Sequence, residues 1–169
     1  AWMDRALGVT VEPVSVLPLI GSKELVAGLP AQLGLGAGDA VAYPTPAYPT
    51  YEIGALLAGA TPVPLSDQAL AEDWIAGGHA PEHVRLLWLN SPGNPHGRVY
   101  SVQTLREIVA WARSRGVIIA SDECYITLGW EGTEPVSVLH PDVCGGSHEG
   151  LIAVHSLSKR SPLAGYRSA

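Results

Sequence analysis

The stretch VRLLWLNSPGNPHGRVYSVQTLREIVAWARSRGVIIASDECY (residues 84–125) decides the fold. It opens on an apolar run of strand length, 84–89, and closes on a second, 117–121. Between them Val102, Leu105, Ile108, Val109 and Ala112 recur at helical spacing, which gathers them into one apolar stripe. Ser101 stands ready to cap the first turn, Gly116 to end the last, and Arg113 and Arg115 suit the negative end of the helix dipole. Strand, helix and strand in that order form a crossover between parallel strands. The strand runs are continuously apolar rather than alternating, as strands covered on both faces require.

Outward from this unit the pattern repeats, with strand candidates at 39–43 and 60–65 before it and 151–155 after it. The expectation is an α/β protein, a three-layer α/β/α arrangement around a mostly parallel sheet. A helix is predicted to start at Gly21-Ser22-Lys23-Glu24 and to carry Leu25, Val26 and Leu29 inward before Pro30 disturbs it. Residues 66–83 read as a surface helix and loop, and 129–150 as an excursion before the last strand.

Composition narrows the function. The 169 residues, 47% hydrophobic and 15% charged, suffice for one domain with a buried core. A formal charge of -6, with the ten Lys and Arg scattered, offers no footprint for nucleic acid or an anionic membrane. No apolar run approaches the roughly 18 residues of a membrane span, and no signal peptide opens the chain. The expectation is a cytoplasmic protein that handles small molecules. Cys124 and Cys144 have neither zinc nor redox-motif spacing and read as reduced thiols without assigned function. Gly34-Leu35-Gly36-Ala37-Gly38 follows a helix and precedes a strand, the wrong order for a dinucleotide loop, and reads as a helix-ending turn. His79 and His83 are four apart, but Pro81 between them makes a loop the better reading than a metal site. His155 reads as a strand end.

In parallel sheets ligands gather outside the carboxyl ends of the strands. The residues following each run are polar here: Tyr48 after the first, Asn90 to Asn94 after the third, Asp122 and Tyr125 after the fourth, and Ser156 and Lys159 after the fifth. Each alone has an ordinary explanation as a turn, cap, core or surface residue. Their common register along one sheet edge does not.

Ser156-x-x-Lys159, with Arg167 eight positions on, and the order of Asn94, Asp122 and Tyr125 before it, resemble the class I/II aminotransferases of the fold-type I pyridoxal-phosphate enzymes. The resemblance runs through nearly the whole chain. It implies pyridoxal 5'-phosphate as cofactor, amino acids and 2-oxo acids as substrates, and a homodimer. Lys159 would hold the cofactor covalently and later move the substrate α-proton. Asp122 would pair with the pyridine nitrogen and keep it protonated. Asn94 and the Tyr125 hydroxyl would hydrogen-bond the phenolic oxygen, and Tyr48 would stack on the ring. The phosphate would sit at the helix start near Gly21, with Ser22, Ser156 and Arg167 as side-chain contacts and backbone from Gly21 and Lys23. His96 stands where the family commonly has Thr in its Asn-Pro-Thr-Gly turn.

The stretches LPLIGSKEL (17–25), PVSVLHP (135–141), HSLSK (155–159) and LAGYR (163–167) resemble one subgroup, the actinobacterial-type N-succinyldiaminopimelate aminotransferases of lysine and diaminopimelate biosynthesis. Residues 1–169 are expected to form part of the large, cofactor-binding domain, a fragment without the N-terminal arm and the C-terminal small domain, whose arginine binds the substrate carboxylate in the family. Other readings are a class I/II aminotransferase or lyase of different substrate, and a non-catalytic cofactor-sensing regulatory module.

Overall fold

A computed structural model describes residues 2–130 and 132–169. Five parallel strands form one sheet: β1 (Ala40–Pro44), β2 (Thr61–Leu65), β3 (Val84–Asn90), β4 (Ile118–Asp122) and β5 (Leu151–Val154), in the spatial order β2-β1-β3-β4-β5. Each lies within about a residue of its predicted bounds. The helices long enough to cover the sheet are α2 (Ser22–Gln32), α3 (Thr50–Leu57) and α4 (Val102–Arg115), while α1 (Trp2–Leu7), α5 (Pro141–Cys144) and α6 (Leu157–Arg160) are shorter. No helix among the described residues is long and apolar enough to cross a membrane.

Alternation along the strands divides the core in two. Ala40, Ala42, Leu87, Leu89 and Ile119 face the layer that includes α4 and Val143 of α5. Val41, Tyr43, Leu86, Trp88 and Ala120 face α2 and α3, where Val26, Leu29, Tyr51 and Ala55 meet them. Burial on both faces is the reason these strands read as unbroken apolar runs, and it produces the expected three-layer α/β/α fold.

The crossover helix α4 forms as its sequence dictates. Ser101 Oγ accepts from the Thr104 amide at 3.0 Å, and Gly116 ends the helix with φ 66°. That left-handed backbone is strained for any residue with a Cβ. The predicted surface helix in 66–83 is a wide-turn π-helix, Ala69–Ala76, whose Leu70 and Trp74 turn inward and pack Trp74 against Trp111 at 5.7 Å.

One expectation is corrected. Pro30 does not disturb α2, which continues to Gln32. Proline removes the donor that the Val26 carbonyl would otherwise receive. That carbonyl instead faces α3, where Gly54 approaches so closely that a Cβ there would lie 2.7 Å from the Val26 oxygen. The missing hydrogen bond falls where two helix backbones touch, near the end of the helix, and the chain tolerates it.

The strand order reverses between β1 and β3, since β1 leads to β2 on one side and β3 begins the run to β5 on the other. Such a reversal parts the connecting loops and opens a crevice at the carboxyl ends. The polar residues singled out above lie along this edge or on the segments packed against it.

Candidate active site

Asp122 ends β4, in register with Asn90 of β3 and Val154 of β5. It is 5% exposed. Tyr51 Oη donates to its Oδ2 at 2.9 Å, and the Cys124 amide to its Oδ1 at 3.2 Å. Burial nevertheless pushes the carboxyl above its ordinary range, against the pull of the bonds from Tyr51 and Cys124. No cationic side chain pairs with it among the described residues. A buried carboxylate of this kind is a site prepared for a positive charge.

Two residues without an assigned role in the sequence reading hold Asp122, Tyr51 at its carboxylate and Asn90 at its backbone carbonyl. Tyr51, 1% exposed, sits one helical turn after Tyr48 and lies on Trp88 with ring centroids 5.1 Å apart. Its phenol is raised far beyond the ordinary range, first by burial and then by Asp122, so it remains a donor. The Tyr48-x-x-Tyr51 spacing was the available signal, but a buried tyrosine reads as core until its partner is known. Asn90 donates from Nδ2 to the Asp122 carbonyl at 2.9 Å, and its Oδ1 accepts the Asn94 amide at 2.7 Å. Asn90 thereby ties the turn that presents Asn94 to the end of β4.

Tyr48, Asn94 and Tyr125 are each half-buried along this edge. Tyr48 packs edge-on against Tyr51 at 6.1 Å, and burial raises the Tyr125 phenol above its ordinary range. The His96 ring folds over Gly93, in the space a Cβ there would fill, and its Nδ1 accepts the Arg98 amide at 3.1 Å. The exchange of Thr for His is thus absorbed within the turn, beside Asn94 rather than in its place.

Lys159 is exposed on the single turn of α6, where Ser156 caps the helix by accepting the Ser158 amide at 3.1 Å. Its Nζ lies 6.0 Å from the centre of the Tyr125 ring. It also lowers the Cys124 thiol, which burial and Asp122 together hold far above the thiol range. Lysine, tyrosine and the Asp122 turn are therefore neighbours.

The first and last parts of the chain meet at Gly21. Arg167 Nη2 lies in the space a Gly21 Cβ would occupy, and the glycine has φ 77°. The backbone conformation favours glycine there. Arg167 donates to Glu24 Oε2 at 3.0 Å and to the Ala164 carbonyl at 3.1 Å. Ser22 opens α2, followed by exposed Lys23. On the other side Leu19 exchanges backbone bonds of 2.9 and 3.1 Å with Ala169, and the Leu157 amide donates to the Ser168 carbonyl at 3.1 Å. These bonds lace α2's approach, α6 and Arg167 together. A guanidinium beside the free amides of a helix start is a donor set suited to a phosphate.

An apolar cavity of about 670 Å³ lies elsewhere, beside β5 under residues that include Leu17 and Leu19, and none of the candidate cofactor residues lines it.

The family model for class I and II aminotransferases matches residues 1–169. The chain is 57% identical over 168 residues to the 4-dedimethylamino-4-oxo-anhydrotetracycline transaminase OxyQ of Streptomyces rimosus, covering 99% of this chain and 44% of that protein. It is 34% identical over 177 residues to the LL-diaminopimelate aminotransferase of Aquifex aeolicus, covering 98% and 43% respectively. The crystal structure of aminotransferase AspB from Helicobacter pylori superposes with a TM-score of 0.85 at 30% identity, over 99% of this chain and 46% of that one. The chain thus spans less than half the length of these relatives.

Proposed function

Because this chain belongs to the class I and II aminotransferases, whose cofactor is pyridoxal 5'-phosphate, we propose that the full-length protein is a transaminase exchanging an amino group between an amino acid and a 2-oxo acid. The observation that carries this reading is Asp122, a buried carboxylate with no cationic partner among the described residues, set near an exposed lysine. The open cradle at Gly21, Ser22 and Arg167 fits a phosphate in the same way. Residues 1–169 would then be the larger part of the cofactor-binding domain, and the site residues take the following roles.

When bound, pyridoxal phosphate supplies an electron sink for the substrate α-carbon. Asp122 holds the proton on the ring nitrogen, and Tyr51 and the Cys124 amide keep its carboxylate oriented. Asn94 and the Tyr125 hydroxyl donate toward the ring oxygen. Tyr48 covers a ring face and fixes its plane. Backbone at Gly21 and Lys23, with Ser22, Ser156 and Arg167, receives the phosphate. Lys159 Nζ would hold the cofactor and would serve as the group that carries the substrate α-proton. Its exposure on a single helical turn leaves it free to serve at both positions.

For substrate, we infer N-succinyl-LL-2,6-diaminopimelate with 2-oxoglutarate, in lysine and diaminopimelate biosynthesis, on the strength of the stretches 17–25, 135–141, 155–159 and 163–167. A second reading, a transaminase of a different substrate, is favoured by the 57% identity to OxyQ. The test of the cofactor reading is the visible spectrum of the full-length protein with pyridoxal phosphate. A visible band present in the wild type and lost in Lys159→Ala is expected; an unchanged band in the variant rejects the assignment. Turnover of succinylated oxopimelate against simple 2-oxo acids and an oxo-anhydrotetracycline separates the substrates, and preference for either of the latter rejects the diaminopimelate reading.

A further inference from the structure

Behind the strand ends lies a buried pair that the roles above leave unused. Glu123 follows Asp122 and is 1% exposed. Its amide donates to the Val154 carbonyl at 2.9 Å, and its Oε1 accepts the Val138 amide at 2.8 Å. Its Oε2 lies 3.4 Å from Nε2 of His155. His155 follows β5 and precedes Ser156, the cap of the helix that carries Lys159. The pair therefore joins the residue after Asp122 to the residue before Ser156.

The contact extends further. The Trp2 ring stands edge-on to His155 at 5.3 Å, and the Arg160 guanidinium lies 4.0 Å over the Trp2 ring. Arg160 is the neighbour of Lys159, so side chains that touch one another bracket the lysine turn from both ends.

We propose that Glu123 and His155 are positioning residues: their buried contact, continued through Trp2 to Arg160, fixes the Lys159 turn relative to the Asp122 carboxylate. This rests on the cofactor reading, because only there do the two groups have to act on one molecule.

The chemistry of the pair suits the task. Glu123 Oε2 and both ring nitrogens of His155 are buried without a hydrogen-bond partner among the described residues, so the 3.4 Å approach of Oε2 to Nε2 is a polar contact rather than a formed hydrogen bond. Each atom therefore has the other as its ion-pair contact, and removing one leaves its counterpart facing none. Burial pushes the Glu123 carboxyl up to about 7, and burial with Arg160 pushes His155 down to about 4. Between those values the pair holds one proton and no net charge. An uncharged latch holds the strand ends without adding a charge beside the Asp122 turn.

The test uses the full-length protein, reading the dissociation constant of pyridoxal phosphate, the pH midpoint of its visible band, and the thermal midpoint of the cofactor-free form. Glu123→Leu and His155→Leu are each expected to weaken cofactor binding roughly tenfold and to move the pH midpoint, with the double variant no worse than the weaker single. Glu123→Gln keeps a donor toward Nε2 and is expected to return both readings close to wild type. If Glu123→Leu does not fold, His155→Leu and Glu123→Gln carry the comparison. Variants that lower only the thermal midpoint, or whose losses add, overturn the latch while the Lys159-dependent band remains. A wild type without that band overturns the cofactor reading itself.

Discussion

Asp122 and Lys159 approach the same strand edge from opposite surroundings. Asp122 ends a strand with neighbours on both sides, is buried, and receives hydrogen bonds from Tyr51 and Cys124. Lys159 rides on a single helical turn after the outermost strand of this sheet and is exposed, with the Tyr125 ring 6.0 Å away. On the proposed cofactor reading, the difference follows from what each group would do. A carboxylate that holds one proton in one place gains from being fixed and shielded, since low dielectric strengthens its interaction with a cation. An amine that serves first as anchor and then as base needs freedom to swing. Rigidity is invested under the carboxylate, while the Lys159 side chain stands exposed on its turn.

Breaking the rigid half should have the largest effect. Trp88, fully buried beneath Tyr51, is the largest side chain under the carboxylate. Trp88→Ala is expected to lower stability by about 3–5 kcal/mol, read by chemical denaturation.

The pair that links the two halves can be separated by pH. Burial raises Glu123 from 4.5 to about 7, so the folded protein keeps a proton that the unfolded chain releases, and its contribution to stability falls as pH rises between those values. His155 is lowered from 6.5 to about 4, so the unfolded chain binds a proton the folded one refuses, and stability rises with pH across that window. The slopes oppose each other in the wild type. The groups facing the pair, Asp122, Arg160, the Val138 amide and the Ser121 and Ser137 hydroxyls, remain in both single variants. His155→Phe should expose the Glu123 slope, a loss of roughly 3 kcal/mol from pH 4.5 to 7. Glu123→Gln should expose the opposite slope, from pH 4 to 6.5. Denaturation at a series of pH values checks both signs.

Tyr51→Phe sharpens the comparison by removing one oxygen. It deletes the donor to a buried carboxylate and should cost roughly 1–3 kcal/mol while pushing the Asp122 carboxyl further up. An unchanged denaturation midpoint would mean that Tyr51 serves only as packing. The smallest effect belongs to the exposed half, where Glu24→Gln removes a half-exposed partner of Arg167 and should shift stability by less than about 1 kcal/mol.

The same division explains what was legible in the sequence. The strands, α4 and its caps could be read because local period and end chemistry determine them, as Ser101 and Gly116 illustrate. Lys159, Asp122, Asn94 and Tyr125 stood out because polar residues follow apolar runs at matching positions, and Arg167 through the family resemblance. Tyr51 and the Glu123–His155 pair did not, and Asn90 was legible only as a polar residue after a strand, because their meaning lies in partners that only the folded chain supplies. Tyr51 meets Asp122 across 71 residues of sequence, and Asn90 reaches the Asp122 carbonyl across 32. Pro30 misled for a related reason: the rule that a proline breaks a helix is local, and the Val26 carbonyl it frees is taken up against Gly54 of another helix.

The meeting of Gly21 with Arg167 has a temporal side. The hydrogen bond from Arg167 to Glu24 closes a loop of 143 residues, with all five strands lying between its ends. As the chain leaves the ribosome, the glycine, the helix start and the strands emerge before the guanidinium that completes the anion cradle. An intermediate whose sheet is formed but whose last segment is undocked presents Asp122 without that cradle. Capture of a phosphate-bearing ligand at Gly21 and Arg167 would therefore register that the segment around Arg167 has docked.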